Sequence, residues 1–530
     1  MEASLRIRLD TETTCGGGMV GLAANGESDD SAAAGRTLHG IAYGVVVGAL
    51  SLLSGILLLP IVANQVGPGA YGVWLFLISI TTYVGYGDLG VTSAIIHFGA
   101  RSRGGDGTYT LSALLSAGLV WSMASMVVVL PLYLWLAFAY TEAHLGDLGD
   151  SGTSQIALVA LGATIAFMAV VRPFFGALVS AGLMVWTQRI AFLALIFRVA
   201  GTLAAVYLFG TITAVAIVET VATVMPGIVV MVLVLKRVAS VRFTRGMWPT
   251  LKLMLAYSTK SLTMGLSESV VLQGGTLIVG VVLGPSSVTH FNLAYRVYNG
   301  VRQLVDWILE PFRSTLSRIA VGSRGAHRRM IETLSFATMT AIVAVTIVWL
   351  LGSRFLVERW VGEYMPAAEI AAVAAFLLAG MTIETLHSPW VMAADTIGKP
   401  GAFLLPQILW ACLSVPLGLY LAGRWGIVGV AIGMASPLLV LEPLYLRIAR
   451  QAAGMHLHMW WRRSLAPVVV ATALPVAAAM MTWVAASAAA PSLAAWLPTV
   501  VFVVSWFLSV YLVRRLLPLD DVMSALRSRM

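Results

Sequence analysis

The chain has 530 residues, of which 59% are hydrophobic and 11% charged, and a formal net charge of +9. So little polar surface excludes an ordinary soluble domain, and a thin basic excess on an apolar chain gives no reason to expect nucleic acid as a partner. The two cysteines, Cys15 in a polar tail and Cys412 inside an apolar stretch, exclude a disulfide scaffold.

Residues 1–37 are polar, small and Gly-rich, with no apolar core of a signal peptide ahead of the first long apolar stretch, so a disordered tail is expected there. About fourteen stretches then follow, near 38–63, 71–98, 110–139, 156–181, 190–209, 213–236, 258–283, 288–315, 333–352, 367–391, 402–422, 426–446, 465–486 and 494–517. A helix rises ~1.5 Å per residue, so about twenty apolar residues cross a hydrocarbon core of ~30 Å. The chain therefore reads as an all-α polytopic membrane protein. Most of the 33 Lys and Arg fall in alternate gaps and in both tails, while the opposing gaps hold Arg354, Arg359 and Arg424. The positive-inside rule then places both termini in the cytoplasm and accounts for the basic balance through orientation and attraction to membrane lipids.

Ile61-Val62 followed by Gly67-Pro68 recurs as Ile278-Val279 followed by Gly284-Pro285, 217 residues later, and Pro226 and Pro443 share that offset. Two pseudo-symmetric six-helix lobes are expected, 38–236 and 258–450, joined by a cytoplasmic loop at 237–257. A loop at 451–464, two appended helices within 465–517 and a cytoplasmic tail at 518–530 complete the organisation. An even number of spans per lobe relates the lobes by an axis near the membrane normal, the arrangement in which transporters place substrate between halves.

The second span carries Gly67-Pro-Gly-Ala-Tyr-Gly-Val-Trp74, then Ile80-Thr-Thr-Tyr-Val-Gly-Tyr-Gly-Asp-Leu-Gly90 and Ala94-Ile-Ile-His97. Together with Trp186-Thr-Gln-Arg189, Phe291-Asn-Leu-Ala-Tyr-Arg296 and Ile397-Gly-Lys-Pro400, these motifs resemble the polysaccharide-unit (O-antigen, Wzx-type) flippases of the multidrug/oligosaccharidyl-lipid/polysaccharide exporter superfamily. The resemblance implies a non-enzymatic carrier that moves an undecaprenyl-pyrophosphate-linked oligosaccharide to the outer leaflet through a central cavity. It further implies glycosyltransferases upstream and a polysaccharide polymerase downstream. Ala-, Gly- and Arg-rich usage adds a bacterial inner membrane as the location.

Ionisable groups inside spans each cost a few kcal/mol (~2.5–3.5) at mid-bilayer unless paired or hydrated. The eighth span carries Arg296, Arg302, Asp306, Glu310 and Arg313, which fall within an arc of about 120° at 3.6 residues per turn. Arg296 and Arg302, with Arg172 and Arg198 from the fourth and fifth spans, are the expected pyrophosphate ligands, because a guanidinium donates in pairs to phosphate oxygens and stays charged. The competing reading is local pairing, Arg302 with Asp306 and Glu310 with Arg313. Among the acids, Asp88, Glu219, Glu268 and Asp306 are the expected coupling or gating groups for a proton or sodium ion. Asp88 has the alternative of hydrogen-bonding a neighbouring helix end. Glu384 and His387 offer either a proton relay or a structural pair near Pro389. Tyr83, Tyr86, Trp186, Tyr295, Tyr298 and Trp307 either stack on sugars or pack between helices.

No Gly-x-x-x-x-Gly-Lys-[Ser/Thr] occurs, and no metal site or cofactor is implied. Two other classes compete with the flippase: a drug/cation antiporter of the same superfamily, with an acidic cavity, and a polysaccharide polymerase or ligase. The last needs an external catalytic domain, whereas the longest outer gap, near 140–155, holds only Glu142, Asp147 and Asp150 in a short acidic turn.

Overall fold

The computed structural model describes residues 44, 46–84, 90–103, 110–144, 151–242, 247–362, 365–489, 494 and 496–513, and they contain no strand. Each of the fourteen apolar stretches is met by a helix. The first six are Val46–Val66, Pro68–Val84 continued by Val91–Arg103, Leu111–Ala143, Ser151–Ser180, Met184–Leu208 and Ile212–Arg237. Met247–Leu283, Pro285–Leu309, Arg324–Val361, Ala367–Glu384 with Ser388–Thr396, and Leu404–Ala435 with Pro437–Ala452, which together hold the eleventh and twelfth stretches, form the next six, and Ala466–Ala489 and Leu497–Val513 the last two. Among the described residues nine helical runs are long and apolar enough to cross a membrane, and one of these, Gly401–Ala452, holds both the eleventh and the twelfth spans. The chain reverses inside that run at Trp425 and Gly426, where the dihedrals leave the helical region.

The outward faces are apolar. Val127, Leu208, Val440 and Leu474 are 72–76% exposed, a cost that hydrocarbon removes and water would not. Inside, the second and eighth spans lie at the centre, with Val73, Trp74 and Leu77 packed in one apolar cluster with Phe291, Leu293 and Ala294. A second cluster joins Ile95, Leu114, Leu178, Val234 and Met254. A third, Ala344, Ala479 and Phe502, seats the last two helices on the ninth span.

The recurring Gly-Pro pair has a shared backbone role. Gly67 and Gly284 hold φ of +96° and +85°, conformations that a side chain disfavours, and each hands the chain to a proline that opens the next helix. The two turns meet: Thr289 Oγ1 donates to the Pro68 carbonyl at 2.7 Å, and Gly72 faces the Pro285 carbonyl so closely that a Cβ would collide with its oxygen. At the same end Tyr140 donates to the Gly280 carbonyl at 3.2 Å while stacking on Phe76, and Asn64 and Trp360 bridge the first and ninth spans through the Val361 and Ile56 carbonyls. Because the obstacle at Gly72 is backbone, Gly72→Ala is expected to cost about 1–3 kcal/mol or more by overpacking. A lower detergent-solubilised yield and melting temperature would register it; an unchanged melting curve would show that the two helices can separate freely.

Candidate functional site

A cavity of about 400 Å³ lies among the first six spans and is closed on one side by the eighth. Three arginines line it: Arg172 from the fourth span, one residue before the Pro173 inside that helix, Arg198 from the fifth and Arg296 from the eighth. Among the described lining residues one carboxylate, Glu219, faces them. Arg198 Nε lies 3.0 Å from Glu219 Oε2, although its N–H is not aimed at the oxygen, so the contact is an ion pair more than an aligned hydrogen bond. Arg296 acts electrostatically on the same carboxylate from the opposite wall. Among the described lining residues the guanidinium groups outnumber the carboxylates, in a low-dielectric setting where charge is felt strongly.

A second cavity of about 290 Å³ lies further along the eighth span and has the reverse balance. Arg302 Nη1 reaches Glu384 Oε1 at 3.2 Å, and Arg313 bridges Glu310 Oε2 at 3.0 Å and Asp395 Oδ2 at 3.4 Å. With Asp306, four carboxylates line this space against two arginines.

The expected quartet of phosphate ligands is thus divided. Arg172, Arg198 and Arg296 share the first cavity; Arg302 belongs to the second and already holds Glu384. Helical geometry supplies the reason. Arg296 and Arg302 stand at opposite edges of the charged stripe, about 120° apart in projection and ~9 Å along the axis. They cannot face one ligand of modest size. Of the acids, Glu219 stands among the arginines and Asp306 lines the second cavity. Asp88 lies outside the described residues, as does the side chain of Glu268 on the Met247–Leu283 helix.

The Glu310–Arg313 pair forms as spacing suggests, whereas the Glu384–His387 pair does not. The tenth span ends at Glu384, and the chain turns before Ser388, which rotates His387 away. His387 Nδ1 instead sits 2.8 Å from Glu442 Oε2, with its ring stacked on Tyr445 at 3.8 Å. Phe291, Tyr295 and Tyr298 form a buried ladder between helices, and Tyr83 donates to the Ser269 carbonyl. The aromatic groups on the first cavity are Tyr71 and Trp74, both in the glycine-rich motif of the second span. Sequence reasoning also passed over the hydroxyl groups of that cavity. The available signal was their position one turn from singled-out charges: Thr202 follows Arg198 by four residues, and Thr223 follows Glu219 by four.

Apolar helices around charged cavities make up a fold shared with solved transporters. Lipid II flippase MurJ in an inward closed conformation superposes with a TM-score of 0.66 at 12% identity, covering 89% of this chain and 99% of that one. The Vibrio cholerae MATE transporter VcmN gives 0.57 at 15% identity, covering 81% and 99%. An inward-facing multidrug resistance MATE family transporter of the MOP superfamily gives 0.57 at 15%, covering 78% and 94%. No curated protein matches by sequence. Residues 37–310 match the model of the polysaccharide biosynthesis protein family, and the chain belongs to that family.

Proposed function

We propose that this protein is a flippase that carries a polyprenyl-pyrophosphate-linked oligosaccharide unit, of the undecaprenyl type, across the bacterial inner membrane by alternating access. The observation that carries the reading is the first cavity, where Arg198 and Arg296, with Arg172 on the same lining, converge from three helices and offer guanidinium donors to a pyrophosphate. Membership of a polysaccharide biosynthesis family and the fold shared with a lipid II flippase support the same reading. In this scheme the segments 38–236 and 258–450 move as two lobes, both termini face the cytoplasm, and the hydrogen-bonded end around Gly67 and Gly284 faces outward, closed in this state. A proton or sodium gradient drives return, with Glu219, Asp306, Asp88 and Glu268 as coupling groups. Glycosyltransferases supply the substrate, and a polymerase consumes it.

The test is complementation of cells lacking the protein. Wild type restores polymer; Arg296→Ala, at matched membrane expression, leaves lipid-linked intermediate on the cytoplasmic side and cuts polymer at least about tenfold, the loss of one charge-assisted hydrogen bond. Normal polymer without the protein would overturn the reading. A drug/cation antiporter is the second reading, favoured by the acidic cavity around Asp306, Glu310, Glu384 and Asp395. It is the outcome if polymer is unaffected while sensitivity to cationic drugs rises.

A further inference from the structure

The connection from the twelfth to the thirteenth span gathers charge of one sign. No Asp or Glu occurs between Pro443 and Leu519, whereas Arg447, Arg450, His456, His458, Arg462 and Arg463 follow one another closely. Lys399 joins them, its Nζ donating to the Ala452 carbonyl at 3.4 Å. Only residues 453–456 separate the helices Pro437–Ala452 and Leu457–Trp460, so these cations lie at one end of the bundle. Glu332 and Asp395, acids that other helices bring to this end, are already engaged: Glu332 holds Arg463 at 3.0 Å and Asp395 holds Arg313 at 3.4 Å. Among the described residues Arg447, Arg450 and Arg462 have no carboxylate partner, and all three are exposed.

The same connection has the amphipathic make-up of a membrane interface. Trp460, 3% exposed, and Ser464 are buried one turn apart, and Ser464 donates to the Glu332 carbonyl at 2.8 Å, which fastens one face to the ninth span. Leu457, Met459 and Trp461 are left 47%, 37% and 53% exposed, interleaved with the exposed His456, His458 and Arg462. The helical run Leu457–Ala488 has 32 residues, where about twenty suffice to cross hydrocarbon, so its first turns reach the headgroup layer. A tryptophan at that depth keeps its ring at the acyl boundary, while arginines on apolar stems carry their guanidinium groups to the phosphates. A free anion would use the charges and leave Leu457, Met459 and Trp461 without a partner; a neutral lipid would do the reverse. Only an amphiphile with a negative head matches both halves of the surface.

We propose that this connection binds the headgroup of an anionic phospholipid, with Arg447, Arg450 and Arg462 on the phosphate and Leu457, Met459 and Trp461 against the first acyl carbons. With both termini cytoplasmic, the surface meets the leaflet whose potential is negative. The bound lipid is a peripheral tie between the twelfth and thirteenth spans and is not cargo.

Delipidated full-length protein in detergent is titrated with short-chain phosphatidylglycerol, with phosphatidylcholine of the same chain length and with inorganic phosphate, and bound lipid is counted by native mass spectrometry. One Lys or Arg near an anionic surface is worth about fivefold in affinity, so wild type should prefer phosphatidylglycerol by at least about tenfold. Arg462→Gln should lose about fivefold, and Arg447→Gln, Arg450→Gln and Arg462→Gln together nearly all of the preference. Arg447→Lys, Arg450→Lys and Arg462→Lys together should keep it. Arg324→Gln with Arg329→Gln, an exposed basic pair at the start of the ninth span, should leave it unchanged. Equal binding of both lipids by wild type, or a preference that survives the triple glutamine variant, would overturn the proposal. So would an equal loss in the Arg324 and Arg329 variant, which would point to bulk charge, or displacement of the lipid by inorganic phosphate, which would point to a free-anion site. If the triple glutamine variant fails to fold, Arg462→Gln alone decides.

Discussion

Arg198→Ala and Glu219→Gln are expected to shift pyrophosphate binding in opposite directions. Both side chains stand on the cavity wall, 41% and 28% exposed, so the ion pair adds little to folding, of order 0–1 kcal/mol, and its loss should leave membrane expression intact. The effect falls on the ligand instead. Removing Arg198 takes one positive charge from the cavity and deletes a charge-assisted donor worth about 1.5–3 kcal/mol, a roughly tenfold to hundredfold loss of affinity for a short-chain prenyl pyrophosphate. Neutralising Glu219 removes one negative charge and frees Arg198, so binding tightens, release slows and polymer output still falls. Titration calorimetry at two salt concentrations checks the sign and the electrostatic origin. If both variants weaken binding equally, the pair is a structural strut and the arginine cavity is not the phosphate site.

Arg463→Ala is expected to be the most destabilising single change away from the cavities. Glu332 on the ninth span is 1% exposed at its side chain; Arg463 lies 3.0 Å from its Oε2, Arg328 Nε stands 3.8 Å from its Oε1, and Ser464 donates to its carbonyl at 2.8 Å. These contacts pin the connection that leads to the last two helices. Truncating Arg463 leaves a buried carboxylate with one distant partner, a situation that costs about 3–5 kcal/mol, whereas replacing both charges by apolar groups of similar volume is often neutral. The melting temperature in detergent should drop clearly for Arg463→Ala and recover for Arg463→Met with Glu332→Leu. An unchanged melting curve for the single variant would mean that apolar packing around Ala344, Ala479 and Phe502 alone seats the terminal helices.

The contrast between these sites shows what was legible along the chain. The fourteen spans were readable because a membrane imposes one demand on every residue of a segment, and that demand is local: length, apolarity and flanking charge. The Gly-Pro turns were readable for the same reason, since φ near +90° followed by a fixed proline φ is a property of two adjacent residues. Charges on the eighth span were correctly marked as exceptional, because an ion in hydrocarbon is costly wherever its partner lies.

The partners themselves were not legible. Glu384 is 82 residues from Arg302, His387 is 55 from Glu442, and Arg463 is 131 from Glu332. Spacing favours pairs three or four apart on one helix, and that rule holds for Glu310 with Arg313 but is silent on helices that cross. Nor does an arc of 120° reveal that a helix passes between two cavities, so that Arg296 lies on the space that Glu219 lines while Arg302 faces the acids of the second cavity. By itself, then, the sequence determined that this is a helical membrane protein with intramembrane charge, because hydrophobic and backbone energies are summed residue by residue. Only the tertiary structure decided that three arginines, Glu219 and several hydroxyl groups line one space, because electrostatic and hydrogen-bond energies depend on distances between helices that no local pattern encodes.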